Sequence, residues 1–137
     1  MELPSFKVIV LGDAGVGKSA YINRMKTGEF TQCIAQEMTP LVFHTNHGSY
    51  KLNVWEDKIV SHDVDAAIVM FDLIRRDNIV KYKINKPLVI CGNKCDLVTD
   101  KLVNHCHYIS VKTGCNINSP WLDLIKQLTG KKDLIFS

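Results

Sequence analysis

The sequence predicts an α/β domain: a mainly parallel sheet of about six strands with a phosphate loop after the first. Three observations carry this. A glycine-rich run, Gly12-Asp13-Ala14-Gly15-Val16-Gly17-Lys18-Ser19, lies between an apolar stretch and a helical one. Short apolar runs without alternation, Ala66–Phe71 and Leu88–Cys91, read as strands buried on both faces. An amphipathic segment near the end, with Trp121, Leu122, Leu124, Ile125 and Leu128, reads as a covering helix.

The glycine run fits GxxxxGK[ST] in the context that gives the pattern meaning. Phe6–Leu11 is an apolar strand before it, and Lys18 to about Thr27 is helical after it. Phosphates need close backbone approach, inward N–H groups and a helix N-terminus. Gly15, Val16, Gly17, Lys18 and Ser19 are the candidate phosphate ligands, with the Ser19 hydroxyl directed at a magnesium ion.

The remaining elements follow in order. Tyr21, Ile22 and Met25 share one face of the first helix, and Gly28 stops it. Residues 29–40 read as a loop. Leu41–Thr45 and Lys51–Trp55 alternate around Asn46-His47-Gly48-Ser49, which predicts a hairpin. Tyr108–Val111 is the last strand. Ser119 would cap the final helix, Pro120 would occupy its first position, and Gly130 would end it. Between Trp55 and Ala66, Asp72 and Lys86, and Lys94 and Cys106 the connections are short for parallel crossovers. Asp77–Lys83 has room for one short helix. The middle helices are therefore expected to be reduced. Loops or a partner, including a second copy, would have to cover the sheet face they leave.

Composition bounds the function. The chain has 137 residues, 46% of them hydrophobic, and a formal charge of +3. That suits one domain spanning 1–137 with a real core. The basic residues are scattered, which argues against a nucleic-acid surface. No apolar run reaches membrane-spanning length, and neither a signal peptide nor a prenylation cysteine is evident. A soluble protein of nucleus and cytoplasm, without a lipid anchor, is the expectation. The five cysteines fit no paired metal framework and read as free thiols.

A second motif, Cys91-Gly92-Asn93-Lys94-Cys95-Asp96, follows an apolar strand. A carboxylate at Asp96 can accept from both N1–H and N2–H₂ of guanine, a donor pair that adenine lacks. Asn93 can hold the loop, and the Lys94 stem can lie on the ring. Ser110-Val111-Lys112 can bring a backbone N–H to guanine O6.

With these residues the sequence resembles the Ras superfamily of small GTPases, and within it the Ran branch, which serves nuclear transport. The resemblance is carried by Gly12–Ser19, Pro40–Asn46, Asn53-Val54-Trp55, Met70-Phe71-Asp72, Cys91–Lys94 with Asp96, and Ser110-Val111-Lys112. It implies a guanine-binding set of Phe30, Asn93, Lys94, Asp96, Ser110, Val111 and Lys112, with GTP or GDP and Mg²⁺ as cofactors. It also implies contact with nuclear transport receptors or regulators of Ran through the Leu41–Trp55 surface.

The catalytic half of the family pattern is degenerate. The switch threonine that holds magnesium falls on Cys33, with Thr31 and Thr39 as candidate substitutes. A thiol is a poor ligand for so hard an ion. Where the family has Asp-Thr-Ala-Gly-Gln, this chain has Glu56-Asp57-Lys58-Ile59-Val60. Glu56 or Asp57 could keep a carboxylate near the metal beside Ser19, but the glycine and glutamine are missing. Ala14 replaces a family glycine. Confident catalytic residues are therefore absent, and GTP hydrolysis is expected to be weak or lacking. Two alternatives stand beside a non-hydrolysing GTP/GDP-binding protein: a decoy that binds nucleotide weakly, and a working GTPase with relocated switch residues.

Overall fold

A computed structural model describes residues 3–29, 38–57, 63–75, 85–98 and 106–137. The described chain is a six-stranded mixed, mostly parallel sheet with two helices. In chain order the elements are β1 (Ser5–Leu11), α1 (Lys18–Thr27), β2 (Thr39–Thr45), β3 (Gly48–Asp57), β4 (Ala66–Asp72), β5 (Leu88–Asn93), β6 (His107–Tyr108) and α2 (Ser119–Thr129). Across the sheet the order is β2-β3-β1-β4-β5-β6. Among the described strands, only the β2–β3 pair is antiparallel.

Burial explains the strand composition. β4 is buried at all seven positions, as expected of a central parallel strand packed on both faces. β2 alternates buried and exposed along its length, the pattern of an edge strand with one solvated face. The larger core layer joins Val8, Val10, Ile68, Met70 and Cys91 of the sheet to Tyr21 and Ile22 of α1 and to Trp121, Leu124 and Ile125 of α2. Trp121 anchors it, with ring centroids 5.4 Å from Tyr21 and 5.7 Å from Phe43. On the opposite face Ile9, Leu11, Val64, Ala67 and Val69 form a second cluster. All five are almost wholly buried.

Two details of the sequence reading are corrected. Ser119 does not cap α2: Asn118 holds the cap position without a side-chain bond. The Ser119 Oγ instead lies 2.7 Å from His107 Nδ1, and Pro120 sits within the first turn. The last strand is also shorter than Tyr108–Val111. After Ile109 donates to Gly92 (2.8 Å), Ser110 turns away and pairs with Cys115 (3.0 Å). Both helices end on a left-handed glycine, Gly28 and Gly130. The proposed Asp77–Lys83 helix lies outside the described residues. Among the described residues, no helix is long and apolar enough to cross a membrane.

Candidate functional site

Parallel strands end together, so the loops that follow them gather at one sheet edge. Gly12–Ser19 follows β1, Asn93–Leu97 follows β5, and Ser110–Lys112 follows β6. Together with Glu56 of β3 these segments line one cleft of about 740 Å³. The cleft-lining residues include Gly15, Gly17, Lys18, Ser19, Asn93, Lys94, Asp96, Ser110, Val111 and Lys112. Val16 is buried directly behind the glycine loop. Thus the structure brings two motifs separated by about eighty positions of sequence onto one surface.

Asn93 joins the three loops. It is 5% exposed. Its Nδ2 donates to the Val16 carbonyl at 3.0 Å. Its Oδ1 accepts from the backbone N–H of Lys94 at 2.8 Å and of Val111 at 3.0 Å. One side chain thereby ties the glycine loop, its own loop and the Ser110 loop to one another. The fit is close: a Cβ on Gly17, at φ +103°, would lie 2.6 Å from Asn93 Nδ2. Gly12 is equally constrained, since a Cβ there would meet the Met70 carbonyl at 2.5 Å.

At one end of the cleft, Asp96 is exposed. Ser110 Oγ donates to its Oδ1 at 2.8 Å and accepts from the Thr113 N–H at 3.1 Å. Lys94 adopts a left-handed backbone, φ 71°. Its Nζ meets Asp72 Oδ2 at 2.8 Å. Burial raises the Asp72 pKa, but the Lys94 bond and the N–H groups of Ile74 and Arg75 outweigh it. The carboxyl therefore lies below its ordinary value of 3.8. Asp72 was not among the predicted site residues. The signal was present: Asp72 ends β4 in register with Asn93 of β5, so a carboxylate there adjoins the residue after Asn93.

At the glycine-loop end, Lys18 Nζ donates to the carbonyl of Gly12 and, at 3.4 Å, to that of Asp13. Ser19 Oγ lies 2.6 and 2.7 Å from the two Glu56 carboxylate oxygens. Magnesium usually takes one or two protein oxygens and fills its shell with waters and phosphates. The adjacent Ser19 hydroxyl and Glu56 carboxylate fit that donor set. The Asp57 side chain lies outside the described residues. Among the described residues no group of three or more His, Cys, Asp or Glu side chains forms a protein-only metal site.

Thr39 is buried in β2 and is not among the lining residues. Phe30, Thr31 and Cys33 lie outside the described residues. Asp13, Ala14, Ala20 and Leu97 also line the cleft. The sequence matches no protein-family model.

Proposed function

We propose that the chain is a Ras-superfamily P-loop domain of the Ran kind that binds GTP and GDP and hydrolyses GTP weakly or not at all. The observation that carries this reading is the convergence of Gly15–Ser19 with Asn93, Asp96 and Ser110–Lys112 on one cleft. The dimensions suit a nucleotide, and the two ends differ in the required sense. One end offers a lysine and a glycine loop at a helix N-terminus, which favours phosphate. The other offers a carboxylate, which favours the N1–H and N2–H₂ edge of guanine.

In this reading the backbone of Gly15, Val16 and Gly17 cradles the phosphates and Lys18 reaches the β- and γ-phosphates. Ser19 and Glu56 hold magnesium, which when bound neutralises phosphate charge. Asn93 sets the distance between the two ends, and the backbone of Ser110–Lys112 meets guanine O6. Lys94, tied to Asp72, lies along the base. Hydrolysis requires an oriented water. Among the described lining residues no glutamine occupies that role, and the segment that carries it in the family reads Glu56-Asp57-Lys58-Ile59-Val60. From the resemblance we also propose contact with nuclear transport factors through the β2–β3 hairpin, and residence in nucleus and cytoplasm.

Displacement of a fluorescent GDP analogue tests the reading. Unlabelled GDP and GTP should compete, and ATP should not. Asp96→Ala should erase that preference, a loss of about 1–3 kcal/mol for an unpaired hydrogen-bonding edge. Equal competition by ATP on the unaltered protein would refute the guanine role. In a single-turnover assay bound GTP should persist, and turnover at ordinary small-GTPase rates would refute the hydrolytic part.

A further inference from the structure

The lysine that follows β5 faces two cavities. Lys94 and the glycine-loop residues Asp13, Ala14 and Gly15 line the large cleft and also a smaller cavity of about 140 Å³. Asp72 and Arg75 line the smaller cavity and not the cleft. Lys94 thus belongs to a wall common to both, and Asp72 meets it from the side of the smaller cavity. The Lys94 side chain is 36% exposed and that of Asp72 only 8%, and the two meet at 2.8 Å. The carboxylate is itself fixed. Its Oδ1 accepts from the Ile74 N–H at 2.8 Å. Asp72 is in register with Asn93, and the Leu73 N–H donates to the Asn93 carbonyl at 3.0 Å. A long flexible amine is therefore held at its tip by an anchor built into two adjacent strands.

We infer that Asp72 is a positioning residue for the ligand of the cleft: it holds the Lys94 ammonium from the smaller cavity, so that the aliphatic stem stands ready as the surface on which a purine base lies. This role rests on the proposed nucleotide site and adds to it a residue outside the cleft. Preorganisation is the physical reason. An unanchored lysine loses much rotamer freedom when a ligand pins it, and fixing it beforehand removes that cost from binding. The methylenes offer apolar contact along their length while the charge is satisfied at the tip. Asp72 therefore acts on affinity only through Lys94.

Amine labelling of the intact protein tests the anchor without nucleotide. Trace acetylation with acetic anhydride, read by mass spectrometry, gives the reactivity of Lys94 relative to the exposed Lys112. An amine held against a buried carboxylate must leave it before it can react. In Asp72→Asn the Lys94 to Lys112 ratio should rise about tenfold, the effect of losing one charge-assisted hydrogen bond. An unchanged ratio would overturn the anchor.

Affinity for a fluorescent GDP analogue tests the role. Lys94→Met keeps a stem of similar length and loses the ammonium. Asp72→Asn and Lys94→Met should each weaken binding about tenfold. The double variant should also be about tenfold weaker, rather than roughly a hundredfold, because both changes remove one interaction. A merely structural carboxylate would weaken binding whatever stands at position 94, so losses that multiply would overturn the role. Full affinity in Lys94→Met would overturn it too, and that variant decides the matter even where Asp72→Asn does not fold. If the unaltered protein binds no analogue, the nucleotide reading falls and this role with it, while the labelling ratio still decides the anchor. If the unaltered protein binds and Asp72→Asn binds equally well, the role alone falls.

Discussion

Asn93 carries the most structural responsibility of any single residue at the cleft. Its amide satisfies one carbonyl and two N–H groups from three loops while almost wholly buried. Removing it leaves those groups without a protein partner at the site, at a cost of about 1–3 kcal/mol each before relaxation. Asn93→Ala should therefore lower stability by about 3 kcal/mol, read from urea unfolding, and should weaken nucleotide binding through the phosphate end as well as the base end. Gly17→Ala reaches the same residue from the other side, since its Cβ would collide with Asn93 Nδ2. Asp72 predicts an acid dependence. Its native pKa is depressed below 3.8, so the stabilisation is fully present above that value and is lost as pH falls through the lower native one. Asp72→Asn should lose stability at neutral pH and lose less on further acidification than the unaltered protein does. Urea midpoints at neutral pH and about pH 3 make the comparison.

Among the elements, α2 shows how a short helix can organise a core. Trp121, Leu124 and Ile125 are all 0% exposed. Leu124→Ala should cost about 2–5 kcal/mol by cavity formation, with little change in which nucleotide is preferred. Calorimetry and analogue competition separate the two effects. This helix, the hairpin and the apolar strands β4 and β5 were legible in the sequence because periodicity, alternation and terminal glycines are local signals. The two arms of the cleft were legible for the same reason, each being a compact motif. What was illegible depended on long-range pairing. Ser119 has the composition of a cap, yet His107, twelve positions earlier, takes its hydroxyl. Tyr108–Val111 has the composition of a strand, yet Cys115 draws Ser110 out of it. Asp72 and Lys94 meet only because β4 and β5 are adjacent and parallel. Glu56 and Asp57 were both candidates by sequence; the Ser19 hydroxyl bonds to Glu56, and the Asp57 side chain lies outside the described residues.

At the scale of the whole molecule, the sheet separates two tasks. Its hairpin edge is fastened by backbone bonds to both ends of the described chain. Its opposite end carries the cleft. Lys51 N–H donates to Pro4 at 2.9 Å, and Ser137 N–H donates to His44 at 2.9 Å. Phe136 bridges to Thr45 and stacks on Phe43, with ring centroids 5.2 Å apart. Leu134 is wholly buried beneath them. Leu134 therefore belongs to the core and Phe136 packs against it, and deleting Leu134–Ser137 should lower the unfolding temperature by about 3–4 °C for each kcal/mol lost in a chain of this length.

The same fastening has a practical geometry. His44 and Lys51 lie two rungs apart on one hairpin, so Pro4 and Ser137 are both held at the end of the sheet from which β1 starts. β1 then runs seven residues, about 20 Å, before the glycine loop begins. A dye, a tether or a surface attached beyond either residue is thus held a strand's length from the cleft, and an immobilised molecule presents its cleft outward whichever end is anchored.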